Sequence, residues 1–265
     1  MLDLVKVNAV TLPDLWFQAI YLVLDHGRRE VIDRGSYEGQ TRLEFDYFTG
    51  HVTKPWTTPL IPEIPSQLNI PAPVDEDYIY GGEGYDRSYI EYIMTDRKEP
   101  GESYTYGERL THFILSKDIT EFRDNHTKNI LYTDNDRGVY WDGFSPFVNQ
   151  IDYIIETYKK HGHRNNQLVL QVAKPDDILL QDPPCLRSID TRIQDNQLHF
   201  FVYFRSWDLW GGLPANLAGI QELKSFMAGE IGVDDGEMVV ESKGLHLYGY
   251  AEDLAKIRCM KEECN

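Results

Sequence analysis

Cys185 is the residue whose type and sequence context best suit covalent chemistry. It directly follows Pro183 and Pro184, which fix the backbone of a turn and remove two N–H donors. Such a turn presents a side chain rigidly, and a thiol becomes a nucleophile when a nearby cation or hydrogen-bond donor favours the thiolate. Because a free cysteine is also a small hydrophobic residue that packs well in a core, this pattern alone leaves both a nucleophile and a structural thiol open.

Three short motifs downstream of Cys185 favour the nucleophile over the structural thiol. They are FRSWD, GGLPAN and GLHLY. Together with DPPC they resemble the catalytic core of thymidylate synthases, which carries Pro-Cys, Arg-Ser-x-Asp, Gly-Leu-Pro-x-Asn and His-x-Tyr in this order. The spacings match that family without a gap from Cys185 to His246, and four motifs in register are more specific than any one of them. The resemblance is concentrated in residues 168–248.

The resemblance implies an α+β fold, with a mixed β-sheet, helices packed on one face of that sheet, and a homodimer that forms through the sheet. At 265 residues and 42% hydrophobic content, the chain can build one sizeable core. We therefore expect one domain over residues 1–265, with a catalytic core at about 148–250 and a divergent N-terminal part over 1–147.

The resemblance also implies a role for each matched residue. Cys185 would add to C6 of a pyrimidine and make C5 a carbon nucleophile, and Tyr106 would help to position the water chain that removes the C5 proton. Asn216 would pair with O4 and N3–H of uracil and stabilise the enolate at O4. The catalytic residues implied are Cys185, Tyr106, Asn216 and Asp208, and those of the folate site are Asp208, Gly212 and Ala215.

The nucleotide site implied by the resemblance is built from arginines and hydroxyl-binding residues. Arg34 would be a mobile phosphate ligand, with Arg42 as a competing candidate, and Arg164 would reach the phosphate of the partner subunit. No confident counterpart of the family's active-site glutamate exists, and Glu83 and Glu91 are the candidates. The substrate-binding residues implied are Arg34, Arg164, Arg205, Ser206, Asn216, His246 and Tyr248.

The activity implied is that of a methyltransferase: dUMP and the co-substrate 5,10-methylenetetrahydrofolate would give dTMP and dihydrofolate. Ala215 stands where synthases usually carry phenylalanine, Trp207 is bulkier than usual, and the nineteen residues after His246 lack the family's apolar tail. Water access decides the fate of the exocyclic methylene, so a C5-hydroxymethylase acting on dUMP, UMP, dCMP or CMP is the alternative, although Asn216 favours uracil over cytosine. A noncatalytic nucleotide-binding homologue and an unrelated cysteine hydrolase are further alternatives.

The composition limits which partners, location and metal content we expect for this chain. A net charge of −17 without a Lys/Arg-rich run disfavours a nucleic-acid polymer. The apolar stretches are too short to span a bilayer, and no signal peptide is recognisable, so we expect a cytoplasmic protein. No CxxC pair with histidine partners is present, and HGH at residues 161–163 is read as a loop, so no metal is expected. Cys259 and Cys264 are expected at the surface of a charged tail.

The elements that must position these residues can be outlined from periodicity and turn signals. We expect a helix that begins with Asn216 as its cap and runs over residues 217–231, and a strand that carries His246 and Tyr248 on one side. The remaining expectations are helices over 12–27 and 148–160, strands at 43–47, in NQLVLQVAK, LHFFVYFRS and EMVVES, and an extended segment over 54–73.

Overall fold

The computed structural model describes residues 1–33, 37–115 and 138–261. In this part of the chain the helices are α1 (Leu12–His26), α2 (Glu76–Tyr80), α3 (Tyr89–Met94), α4 (Tyr106–Thr111), α5 (Gln150–His161), α6 (Gly212–Ile231) and α7 (Gly249–Arg258). The strands are β1 (Leu4–Ala9), β2 (Arg28–Val31), β3 (Thr41–Glu44), β4 (Tyr47–Val52), β5 (Phe113–Ile114), β6 (Val139–Trp141), β7 (Pro146–Val148), β8 (Val169–Gln171), β9 (Leu186–Gln194), β10 (Gln197–Phe204), β11 (Trp207–Asp208), β12 (Asp234–Ser242) and β13 (Leu245–Tyr248). Short 3₁₀ turns lie at Ser66–Leu68 and Pro175–Leu179.

The largest sheet has the strand order β1-β4-β12-β10-β9-β8 and is mixed, because β1 pairs with β4 and β12 with β10 in parallel while the other neighbours are antiparallel. Burial alternates along its strands: Phe200 and Val202 are buried, whereas Phe201 between them is 39% exposed. Helices α1 and α6 pack on this sheet, and a Cβ at Gly50 would approach Leu15 of α1 to 2.7 Å. The expected mixed α+β architecture is thus confirmed.

A second sheet, in the order β11-β13-β3-β2, brings together motifs that are distant in the sequence. Asp208 of β11 lies opposite His246 of β13 in a parallel pair, and Tyr248 lies opposite Arg42 of β3 in an antiparallel pair. A third, smaller sheet contains β5, β7 and β6. The second sheet therefore carries much of the candidate site.

Helix α6 is the central helix and is apolar on most of its surface. Leu213, Leu217, Ile220 and Leu223 are completely buried, which is the pattern of a helix enclosed by other elements. It ends at Ile231, and the following Gly232 has a φ of +86°, the left-handed conformation that favours glycine at a helix C-terminus. No helix in the described ranges is long and apolar enough to cross a membrane.

Several expectations are confirmed by these elements and three need correction. Helix α1 begins at Leu12 and is followed by Gly27, and residues 54–73 contain no α-helix or strand, only a turn at 55–56 and one 3₁₀ turn. The strand expected at 43–47 is two strands, because the chain leaves the second sheet after Glu44 and enters the first at Tyr47.

The two other corrections concern helices. Helix α6 begins at Gly212 rather than at Leu217, so Asn216 is the fifth residue of the helix and does not cap it. Residues 249–258 form α7 instead of a tail, and this helix buries the adjoining Cys259, which is only 8% exposed. Cys264 lies outside the described residues.

Candidate active site

Cys185 lies at the turn that leads into β9 and is partly buried. The backbone N–H of Arg205 donates to the Cys185 carbonyl at 2.9 Å. The Arg205 guanidinium donates through Nε to the Pro184 carbonyl at 3.1 Å, and through Nη2 to the Pro183 carbonyl. The same Nη2 lies 3.2 Å from a carboxylate oxygen of Asp182, whose side chain is 80% exposed. Arg205 therefore holds the whole D-P-P-C turn in place.

Opposing charges act on the Cys185 thiol. Burial raises its pKa above the ordinary value, the Arg205 guanidinium lowers it, Asp182 raises it, and Arg187 lowers it. Arg187 also donates to the Pro184 carbonyl at 3.3 Å. Because two cations and one exposed anion act on the thiol, removal or displacement of the anion favours the thiolate.

Tyr106 contacts the same turn from α4. Its hydroxyl accepts a hydrogen bond from the backbone N–H of Leu186 at 3.3 Å, and burial raises its pKa well above the ordinary value. Tyr104 donates to the backbone carbonyl of Asp182 at 3.3 Å. The residue after Tyr106 must be small, since a Cβ at Gly107 would lie 1.9 Å from the carbonyl oxygen of Thr95. The close approach of α4 to the end of α3 thus depends on that glycine.

The Asn216 amide is held on both sides by aromatic residues. The indole N–H of Trp207 donates to Oδ1 at 2.7 Å, and Nδ2 donates to the hydroxyl of Tyr89. Because an indole can only donate, it fixes which end of the amide is the acceptor. Ring contacts continue from Tyr89 to Tyr92 at 5.4 Å between centroids, and from Tyr92 to Tyr106 at 5.2 Å. A row of tyrosines thereby connects the Asn216 side chain to the Cys185 turn.

The Asp208 carboxylate binds the backbone at the start of α6. Its carboxylate accepts hydrogen bonds from the backbone N–H groups of Trp210, Gly211 and Gly212, at 3.2, 3.1 and 2.8 Å. Burial raises the pKa of Asp208, and these three donors oppose the rise. A cavity of about 430 Å³ opens beside Gly212, and the buried Ala215 contributes to its wall.

His246 is a buried histidine that uses one of its ring nitrogens for hydrogen bonds to described residues. It is 3% exposed, and burial lowers its pKa to about 4. Nδ1 lies 2.9 Å from the Gly244 carbonyl, to which it must donate, and 3.5 Å from the Ser206 hydroxyl. Nε2 is therefore an acceptor, and it is buried without a hydrogen-bond partner among the described residues. The Tyr248 ring packs edge-on against the imidazole, with centroids 4.5 Å apart.

The other sequence-predicted residues lie less close together. Arg34 lies outside the described residues. Arg42 forms an ion pair with Glu44 next to Tyr248 in the second sheet. Arg164 is exposed in the loop between α5 and β8 and forms no ion pair with described residues.

Of the two candidate glutamates, Glu83 is exposed on the surface. The Glu91 carboxylate accepts from the Ser88 backbone N–H at 3.2 Å and completes a capping box at the start of α3. That local capping bond explains the presence of Glu91 without reference to a substrate.

Sequence reasoning missed several residues near the sulfur. Asp182 and Arg187 flank Cys185 in the sequence, and their charges in that turn are the signal that could have identified them. A buried ion pair between Arg109 and Asp177, at 2.8 Å, lies behind the turn and joins residues too far apart in sequence for spacing to reveal. Among the described residues, no group of three or more His, Cys, Asp or Glu side chains is arranged to hold a metal ion.

Comparison with known proteins agrees with the geometry. The family model described as "Thymidylate synthase" matches residues 105–264, which is more than half of the chain. Proteins named "Putative thymidylate synthase" are similar over nearly the full length: that of Methanosarcina barkeri is 24% identical over 250 residues, which are 94% of this chain and 92% of the relative. The one from Methanosarcina mazei is 25% identical over the same shares. The protein of that name from Methanothermobacter thermautotrophicus is 27% identical over 69% of this chain and 66% of the relative. The chain described here belongs to the thymidylate synthase family.

Proposed function

We propose that this protein is a thymidylate synthase that transfers a one-carbon unit from 5,10-methylenetetrahydrofolate to C5 of dUMP, giving dTMP and dihydrofolate. The observation that carries the proposal is the turn at Cys185, where one arginine supports both the backbone of the nucleophile and a site for an anion. A cation next to a thiol and to an anion-binding site is what nucleophilic attack on a phosphorylated pyrimidine requires.

In the proposed reaction the Cys185 sulfur adds to C6 of the uracil ring, and the electron pair moves to O4. Asn216 stabilises the resulting enolate through its amide N–H, while its Oδ1 accepts from N3–H. Both amide groups already have partners in the protein, so the uracil edge shares or replaces the contacts with Trp207 and Tyr89. Tyr106 lies against the residue after the nucleophile, where it can orient the water that removes the C5 proton.

One proposed nucleotide contact replaces an exposed carboxylate, and another gives a partner to a buried ring nitrogen. Arg205 binds the phosphate in place of Asp182, whose exposed side chain can turn away. A buried acceptor without a partner is unfavourable by itself, and a ribose hydroxyl would supply the missing donor to Nε2 of His246. Tyr248, beside that imidazole, is the second proposed ribose ligand.

The cavity beside Gly212 suits a flat heterocycle. Tyr78 and Tyr89 contribute aromatic walls, and Ala215 leaves space where a larger side chain would close the cavity. Methylenetetrahydrofolate supplies both the one-carbon unit and the hydride that reduces it to a methyl group. Asp208, with Gly211 and Gly212, forms the wall to which we assign its pterin ring.

We propose a homodimer that forms through the largest sheet. Support comes from the sheet face that carries Phe201, which is too exposed for an apolar side chain of that size in the middle of a strand. Arg164 is exposed and unpaired within the described part of the chain, as an arginine that serves a partner's phosphate site would be.

A C5-hydroxymethylase is the second candidate, and one observation favours it. The small side chain of Ala215 and the open cavity beside it give water a route to the reacting carbon, where water in place of hydride would leave a hydroxymethyl group.

The test is mass spectrometry of the nucleotide formed from methylenetetrahydrofolate with dUMP, UMP, dCMP or CMP in separate reactions. Methylated deoxyuridylate with stoichiometric dihydrofolate supports the proposal, and a hydroxymethylated product with tetrahydrofolate supports the second candidate. Cys185→Ser should abolish either product, whereas Cys259→Ala, at the other described cysteine, should retain it. Absence of product from all four nucleotides would favour a noncatalytic nucleotide-binding protein.

A further inference from the structure

Two cavities lie end to end along the acidic, proline-rich segment next to the candidate active site. The first is the cavity of about 430 Å³ beside Gly212 and Asn216, and the second has a volume of about 960 Å³. Both are lined by Val74 and Asp75, so the two form one continuous groove. The groove begins at the pterin wall proposed above and continues over Ile61 and Ile64 towards the surface.

The charged side chains that line this groove are all acidic. Residues 55–86, which supply most of its lining, contain no lysine, arginine or histidine. They contain six acidic residues, and three of these line the groove: Glu63, Asp75 and Glu76. The next cation along the chain, Arg87, is bound to the Glu102 carboxylate at 2.8 Å. An anion in the groove would therefore meet several carboxylates and find no free cation among the lining residues.

We propose that this groove binds the tail of the one-carbon carrier and favours a carrier whose tail has the fewest carboxylates. The inference rests on the proposed function, which places the pterin ring beside Asp208. The tail of folate ends in glutamate residues, and each added glutamate contributes a further carboxylate. The isoleucines, prolines and tyrosines of the groove offer apolar contact area to a tail, and Ser66 offers a hydroxyl group.

The size of the effect follows from Coulomb's law. Two unit charges about 10 Å apart in water repel enough to lower affinity about twofold when salt is low, and ions at physiological strength screen most of that repulsion. Each added carboxylate should therefore raise the dissociation constant by about twofold or more, since several acidic side chains act together.

The experiment is isothermal titration calorimetry of the protein saturated with dUMP. The ligands are dihydropteroate, dihydrofolate, and dihydrofolate carrying three or five glutamates, which differ in the number of tail carboxylates. In low salt we expect the dissociation constant to rise with every added glutamate, by a total of about tenfold or more across the series. In high salt the four constants should converge.

A double variant tests whether the acidic lining residues cause the dependence of affinity on glutamate number. Glu63→Gln with Glu76→Gln should flatten the dependence on glutamate number, while Asp75 is kept because its side chain accepts from the Asp77 N–H at the start of α2. The matched control, Asp195→Asn with Asp234→Asn, removes the same total charge near the C-terminal end of α6, about 30 Å from its start. This control should leave the dependence unchanged.

Two results would overturn the inference in different ways. If affinity stays constant or increases as glutamates are added, the preference for a tail with few carboxylates is wrong and the proposed reaction is unaffected. If none of the four ligands binds to the dUMP complex, the proposed folate-dependent function fails together with the inference.

Discussion

Replacement of His246 by asparagine should remove a large part of the protein's loss of stability in mild acid. His246 is buried, and burial lowers its pKa to about 4 in the fold from an ordinary value of 6.5. Its Nδ1–H donates to the Gly244 carbonyl at 2.9 Å. An asparagine amide can make the same bond from nearly the same place but does not titrate. The substitution thus separates titration from the local hydrogen bond.

The direction of the effect follows from proton linkage. Below pH 6.5 the unfolded chain binds a proton at this histidine, whereas the folded protein does so only near pH 4. The unfolded state therefore binds more protons between these values, and stability falls as the pH falls. The two pKa values differ by about 2.5, and a tenfold change in proton affinity is worth about 1.36 kcal/mol, so the limiting loss is about 3.4 kcal/mol. About 2 kcal/mol of it should already be lost at pH 5.

The assay is urea unfolding at pH 8 and pH 5. The wild-type protein should lose about 2 kcal/mol more than His246→Asn between the two pH values. His163→Asn, at an exposed loop position, should lose as much as the wild type. Equal pH dependence of the wild type and His246→Asn would refute the reasoning, because it would mean that His246 does not stay neutral at pH 5 in the fold.

Three further predictions concern the surroundings of Cys185. Asp182→Asn removes the anion beside Arg205, so alkylation of Cys185 by iodoacetamide should reach its half-maximal rate at a lower pH than in the wild type. The control Asp176→Asn, at another exposed aspartate, should leave that pH unchanged. An unchanged pH profile in Asp182→Asn would contradict the proposed effect of Asp182 on the thiol. Asp177→Asn leaves a buried arginine without its counter-ion and should lower the free energy of unfolding by about 3–5 kcal/mol in a urea titration; a loss below about 1 kcal/mol would show that the ion pair is solvated. Gly107→Ala places a Cβ against the Thr95 carbonyl and should lower the melting temperature, whereas Gly229→Ala, with open space around its Cβ, should not.

The parts of the fold set by local pattern could be predicted from the sequence. Helix α1 has a proline at its start and a glycine after its end, and β10 is a continuous apolar run between turns. The motif residues from Cys185 to Tyr248 could also be identified, because their order and spacing are legible without a structure.

What could not be predicted depends on contacts between distant segments. The change of sheet between Glu44 and Tyr47 depends on which strand each half pairs with, and periodicity within one strand carries no such information. Asn216 and Tyr89 are 127 positions apart and meet through packing. The buried Lys224 likewise appears in the sequence as an ordinary polar residue of α6. It is fully buried only because it forms an ion pair with Asp235 and donates to the Gly236 carbonyl.

The aromatic cage around Asn216 has a consequence for evolution. An aspartate at this position could accept from the same indole N–H of Trp207, and the Tyr89 hydroxyl could rotate from accepting to donating, so the cage would need no repacking. If this side chain discriminates between bases as proposed, a single-nucleotide change in its codon could move the scaffold from uracil towards cytosine. Homologues that share these aromatic residues could then diverge in base preference without first losing stability.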